Sequence, residues 1–230
     1  MQSPSAEPDV FQALATRRSV RAFLPTPVDR QIIERILALA SRAPSGSNIQ
    51  PWKVWVVAGA TKDRLCAEII KAHQNESSEH TDEYHYYPQR WTEPYLSRRR
   101  KIGFELYSLL GIAKTDRPAM QRQFGRNYDF FGAPVGLFVG IDRSMELGGW
   151  FDLGGFMQSI LLAARGFGLH SCPQQAFAKY HKLIRAALDI GDDQMIACGI
   201  AIGHEDPTAR ENQLVTEREP VSSFAKFFWD

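Results

Sequence analysis

Between Gly148 and Arg165 the sequence sets Trp150, Phe151, Phe156, Met157, Ile160, Leu161 and Leu162 around nearly the whole circumference of a helix, which Gly166 and Gly168 then end. A helix that is apolar on most faces has to be covered, either inside a large core or between two subunits. At 230 residues the chain is long enough for a single α/β domain with a sizeable core, since a domain of that size buries roughly three-quarters of its unfolded surface. The polar tail that closes the chain nevertheless carries four large rings, Phe224, Phe227, Phe228 and Trp229. A free monomer does not usually leave such a tail in water, so the rings point to docking onto a partner subunit.

The remaining elements follow from periodicity and punctuation. Asp9 can cap a helix running through Ala15 with Val10, Phe11 and Leu14 on one face, and Pro25 and Pro27 then break the chain. Asp29 caps a stronger helix, in which Ile32, Ile33, Ile36, Leu37 and Ala40 recur at helical spacing. Lys53 to Ala58 reads as a buried strand, and Thr61 opens a helix with Leu65, Ile69 and Ile70 facing inward. Val135 to Ile141 reads as a second buried strand, Leu169 to Cys172 as a short one, Phe177 to Leu188 as a helix and Met195 to Ile202 as the last strand. No repeat or linker divides residues 1–230, so one domain is expected.

Charge and cysteine usage narrow the function. With 27 basic and 26 acidic residues the net charge is +1, so no global field draws the chain to nucleic acid or an anionic membrane. No apolar run approaches the length of a membrane span, and Met1 to Pro8 carries no signal-peptide core. Cys66, Cys172 and Cys198 are far apart and set in apolar surroundings, as expected of buried thiols in a reducing compartment. The six histidines pair neither with one another nor with cysteine at metal-ligand spacing. Gly-x-Gly-x-x-Gly, Walker and Gly-x-Ser-x-Gly motifs are all missing. The expectation is a soluble cytoplasmic domain without metal, nucleic acid or membrane, whose chemistry is carried by a cofactor.

Two segments carry that chemistry. Arg17-Arg18-Ser19-Val20-Arg21-Ala22-Phe23 gathers three guanidinium groups and a hydroxyl within five residues, with Phe23 as a core anchor. Guanidinium forks fit phosphate oxygens in a bidentate way, although a solvated helix end carries the same residue types. Ala43-Pro44-Ser45-Gly46-Ser47-Asn48-Ile49-Gln50-Pro51-Trp52 is a turn rich in backbone and amide donors that leads into a strand. Together, in this order and at this separation, the two segments resemble the flavin-dependent nitroreductase family. The resemblance extends through the C-terminal half and omits only roughly residues 75–120.

That resemblance implies an α+β fold, an α/β sandwich with a central mixed sheet flanked by helices, assembled as an intertwined homodimer. It implies FMN as cofactor and NAD(P)H as electron donor. Arg17 and Arg21 would hold the phosphate, Ser19 with Arg18 alongside would hold the ribityl chain, and Arg218 stands where the family has a C-terminal arginine on the phosphate. Pro173-Gln174-Gln175-Ala176 matches the family loop whose backbone N–H approaches flavin N5, with Gln175 and Ala176 in place of the usual acid and glycine. Pro44, Ser45, Gly46 and Asn48 would reach the flavin from the other subunit, and Asn127 is either a ring-edge ligand or a turn amide. The implied reaction is ping-pong: hydride passes from NAD(P)H to N5, and then to a nitroaromatic or quinone-like acceptor stacked on the same face. The implied role of protein side chains is positioning, so no catalytic side chain is named.

Residues 75–125 differ from the rest in composition, with Tyr84, Tyr86, Tyr87, Trp91, Tyr95 and Phe124 beside the basic run Arg98-Arg99-Arg100-Lys101. They read either as a flap that packs its own rings or as a lid over a planar ligand, in which Tyr84, Trp91, Tyr95 and Phe124 would meet the substrate. The basic run reads as a helix face or an anion-attracting rim, and less well as a nuclear-localisation patch. The segment resembles the branch containing para-nitrobenzoate reductases. Two other readings stay open: a different flavin chemistry on the same fold, namely reductive dehalogenation or flavin fragmentation, and a non-enzymatic phosphate-binding interaction protein.

Overall fold

The computed structural model describes residues 9–229. Asp9 caps α1 (Val10–Thr16), its Oδ1 accepting from the Gln12 N–H at 2.8 Å. Val10, Phe11 and Leu14 lie on the open side of that helix and only Ala13 is buried. Asp29 caps α2 (Arg30–Ala40) in the same way through the Gln31 N–H, and α2 buries Ile33, Ile36 and Ala40 against α6 (Leu147–Gly166). Helices α3 (Gly59–Asn75), α4 (Tyr95–Leu109), α5 (Arg117–Gly125) and α7 (His181–Leu188) complete the helical set among the described residues.

The strands are β1 (Trp52–Ala58), β2 (Val135–Asp142), β3 (His170–Gln174) and β4 (Gln194–Gly203), in the spatial order β1-β2-β4-β3. Pleating sorts the core into two layers. Phe138 and Ile196 face a cluster with Ile69 of α3, Ile184 of α7 and the Phe130 and Phe177 rings, while Leu137, Val139 and Ile200 face Ile36 of α2 and Phe156 and Ile160 of α6. The result is an α+β sandwich with helices on both faces.

Some expectations change at the sheet. It was expected to be mixed, yet the four strands pair antiparallel throughout, and the parallel pairing is confined to an isolated bridge between Ser19 and Ser171. Strand direction is set by how long connections return, and hydrophobic patterning carries no record of that. β1 was expected to be buried but has only Val57 enclosed, because it is an outer strand with one neighbour. β3 runs two residues further than expected, through Pro173 and Gln174. As an outer strand it tolerates a proline, whose missing N–H faces away from β4. The C-terminal part of the expected helix from Phe177 is α7, and its start is a 3-10 turn over Gln175–Tyr180. Where Phe177 crosses β4, a side chain at Gly199 would overlap its ring, so the glycine permits a close approach.

Candidate functional site

Residues 17–23 lie along the outer edge of β3. Val20 N–H donates to the Ser171 carbonyl at 3.1 Å, and Phe23 N–H donates to Phe131 O at 3.2 Å. The buried amide of Asn212 fixes the turn: its Oδ1 accepts from Arg21 N–H at 2.8 Å, and its Nδ2 donates to Ala22 O at 2.8 Å. Extended backbone alternates its side chains, which separates the arginines. Val20 is buried in the core, and Arg18 turns to the Glu205 carboxylate and the Asn212 carbonyl. Ser19 bridges to Ser171 of β3, and the charges of Arg17 and Arg21 are felt at the neighbouring Cys172. Burial pushes that thiol up to about 11, against the two guanidinium charges and hydrogen bonding by Ser19. Neither Arg17 nor Arg21 has a carboxylate partner among the described residues.

Behind this edge, Arg165 Nη1 donates to His170 Nε2 at 3.0 Å, and Glu205 Oε2 lies 3.1 Å from the same nitrogen. Burial, then Arg165 and Arg18, lower His170 to about 4, so its ring is neutral at pH 7. The ring nitrogen Nε2 thus lies between a guanidinium donor and a carboxylate acceptor, and the tautomer decides which of them it bonds.

At the far end of β3 the chain opens into a cleft of about 760 Å³, walled by Tyr84, Tyr86, Trp150, Met157, Pro173 and Gln175. Tyr84 O–H donates to Ala197 O and its ring sits 4.8 Å from that of Trp150. Burial pushes the Tyr84 hydroxyl well above its ordinary value, with Gln175 near enough to oppose this slightly, so it remains a protonated donor. Gln174 is buried and its Nε2 donates to Asn127 O at 2.7 Å, while Asn127 Nδ2 donates to Phe124 O at 2.8 Å. Asn127 thus serves as a turn amide whose main chain meets the end of β3. A smaller cleft of about 440 Å³ between α3 and α5, with His73, Arg122 and Asp129 in its wall, includes none of the cofactor or substrate candidates.

The structure therefore brings Arg17, Ser19, Arg21, Pro173, Gln174, Gln175, Asn127 and Tyr84 to one strand. Other candidates stand elsewhere in the chain. Pro44, Ser45, Gly46 and Asn48 form a loop on the flank of α6, where Gly46 N–H donates to Asp152 Oδ2 at 3.0 Å and Gly46 and Asn48 are exposed. Arg218 Nη1 bonds to Thr216 Oγ1 at 2.7 Å and to Glu217 O at 2.8 Å, beside α4. Trp91 stacks 5.3 Å from Tyr87 and under Arg99 at 4.9 Å. Tyr95 is exposed, and Phe124 packs on His73 and Tyr128. Half of the expected anion-attracting rim is neutralised, because Arg98 pairs with Glu219 at 2.8 Å and Lys101 with Glu217.

Sequence reading missed Glu83, Trp150, Met157 and Asn212 as parts of this site. Trp150 and Met157 sit on a helix apolar almost all round, where periodicity marks no special face. Glu83 and Asn212 take their meaning from partners distant in sequence.

Residues 14–204 match the Nitroreductase family, and the chain belongs to it. It is 41% identical over 220 residues to a 4-nitrobenzoate reductase of Pseudomonas putida, covering 95% of this chain and 96% of that one. Among solved structures, the FMN and NADPH-dependent nitroreductase NfnB from sphigopyxis sp. strain HMH superposes with a TM-score of 0.92 at 41% identity, covering 96% of this chain and 100% of that one. The FMN-dependent nitroreductase NfnB from Mycobacterium smegmatis, solved in complex with NADPH, gives a TM-score of 0.90 at 32% identity, covering 96% of this chain and 100% of the other.

Proposed function

We propose that the protein is an FMN-dependent NAD(P)H oxidoreductase that reduces nitroaromatic compounds. The observation that carries this reading is the polarity of strand β3 in a member of this family. Two guanidinium groups without acidic partners among the described residues stand at one end, and an apolar cleft wide enough for a flat ring stands at the other. A phosphorylated, flat-ringed cofactor has that same polarity, so the residues present fit FMN. Arg17 and Arg21 neutralise its phosphate, Ser19 offers a hydroxyl to the sugar chain, and the backbone at Gln175 and Ala176 presents donors toward the ring edge. Arg18, held by Glu205, positions this edge of the site. Bound FMN supplies reversible hydride storage, which no side chain of the chain can provide. Tyr84 and Trp150 wall the space for a flat electron-poor acceptor and exclude water from it, and one cleft serves nicotinamide and acceptor in turn.

The chain acts as one FMN-binding domain within a homodimer. Supporting this are the exposed apolar side of α6, where Leu147 and Phe151 are 85% and 86% exposed, and the open rings of the C-terminal tail. The exposed Pro44–Asn48 loop and Arg218 then belong to a site completed across the dimer. No helix among the described residues is long and apolar enough to cross a membrane, and the three cysteines are buried and unpaired, which suits a cytoplasmic enzyme. Purified protein should be yellow with a flavin spectrum, and NAD(P)H should drive loss of 4-nitrobenzoate absorbance. Colourless protein that does not take up added FMN overturns the reading.

A further inference from the structure

Between Glu79 and Tyr95 the described chain forms neither helix nor strand, so side chains alone decide where the segment lies. One side chain stands out. Glu83 is 8% exposed, and its Oε1 accepts from Arg143 Nη2 at 2.7 Å and from Arg185 Nη2 at 3.1 Å, with His181 Nδ1 at 3.2 Å. The same guanidiniums are fixed in turn. Arg185 Nη2 donates to Gln194 O at 2.6 Å and Arg143 Nε to Asp192 O at 3.0 Å. Glu83 therefore ties the segment to α7, to the turn after β2 and to the start of β4. The next residue, Tyr84, enters the cleft, and the rings of Tyr86, Tyr87 and Trp91 continue from it to Arg99 on α4. Glu83 borders the cleft beside Tyr84, whereas Arg143, Arg185 and His181 do not line it, so the network braces the wall from behind.

We propose that Glu83 is a positioning residue: bound to Arg143 and Arg185, it holds Tyr84 and the rings that follow in place as the cleft wall, and so sets affinity for the nitro acceptor. The inference rests on the function proposed above. A buried carboxylate between two guanidiniums has few alternative positions, since any displacement leaves charges unpaired in a poorly solvated place. The Tyr84–Trp150 contact alone, a pair of tilted rings, gives no such constraint.

The test compares wild type with Glu83→Gln as FMN-loaded enzymes, and uses Arg143→Gln, which leaves the Arg185 bond, should the first variant fail to fold. Limited tryptic cleavage after Arg90 should speed up while the strands stay resistant. The KM for 4-nitrobenzoate should rise about tenfold with a much smaller fall in kcat, because misplacing a wall weakens binding more than it alters the reacting atoms. Stopped-flow reduction of the flavin by NADPH should change by a smaller factor than reoxidation by the acceptor. Unchanged cleavage, or faster cleavage with an unchanged acceptor KM, overturns the positioning role. Wild-type protein that binds FMN without being reduced by NADPH or NADH overturns the functional reading instead.

Discussion

Arg17-Arg18-Ser19-Val20-Arg21 and Arg98-Arg99-Arg100-Lys101 are two basic runs that meet different fates. The first is extended along β3, held by the Ser19–Ser171 bridge and buried Val20, so alternate side chains are presented to one side. Arg17 and Arg21 keep their charge uncompensated among the described residues, with a carboxylate spent only on Arg18. The second run is helical and open on α4, where Arg98 pairs with Glu219, Lys101 pairs with Glu217 and Arg99 lies over the Trp91 ring. A cation becomes a binding group when the fold withholds acidic neighbours from it. Local charge density does not report that.

The sharpest way to test the contrast is acid, because the β3 edge holds a buried neutral His170 and the α4 face has no equivalent. Its folded pKa, about 4, lies below the ordinary 6.5, so between those values the unfolded state binds more protons. The stability it contributes is full above pH 6.5 and is lost as pH falls toward 4, by about 3 kcal/mol in all. Thermal melts of His170→Gln should show a correspondingly flatter pH dependence over that window. A variant curve parallel to the wild type would remove His170 as the cause.

Next in size is Arg21→Ala, which removes a charge-assisted phosphate contact worth about 1.5–3 kcal/mol. Equilibrium dialysis should show flavin binding weakened roughly ten- to hundredfold with the fold intact. Full occupancy would mean that the phosphate lies elsewhere. Trp91→Ala, which removes the ring bracing Tyr87 and Arg99 outside the cleft, should cost about 1–2 kcal/mol in the oxidative half-reaction. Phe124→Ala, whose ring packs on His73 and Tyr128 away from the cleft, should change that half-reaction less. Equal slowing of both half-reactions by Trp91→Ala would make the segment scaffold. Smallest is Arg98→Ala, which breaks a half-exposed pair with Glu219 and should shift stability by about 0.2–1 kcal/mol without releasing flavin. Flavin loss as large as for Arg21→Ala would erase the contrast between the two runs.

Much of the site was legible because it depends on local order. Arg17, Arg18, Ser19 and Arg21 were legible as a cluster of phosphate-binding residue types, while their extended course beside β3 appears only in the structure. Pro173-Gln174-Gln175-Ala176 comes after the apolar helix as expected, but Pro173 and Gln174 belong to β3 and only Gln175 and Ala176 lie beyond it. The aromatic segment was legible only as composition. Tyr84 reaches the cleft, but Trp91, Tyr95 and Phe124 have other neighbours, because nothing in a loop's sequence specifies which of its rings turns inward.

Periodicity and capping residues determine helices and strands through interactions between residues up to four apart, which is why Asp9, Asp29 and the 148–165 run could be placed from the chain alone. Strand direction, the exposure of β1 and the fate of each charge were decided only by tertiary structure. Arg18 and Glu205 are separated by 187 residues, Lys101 and Glu217 by 116, and Arg185 and Glu83 by 102. Coulomb energy falls with distance in space, and two residues that far apart in sequence acquire a distance only when the sheet and its helices close around them.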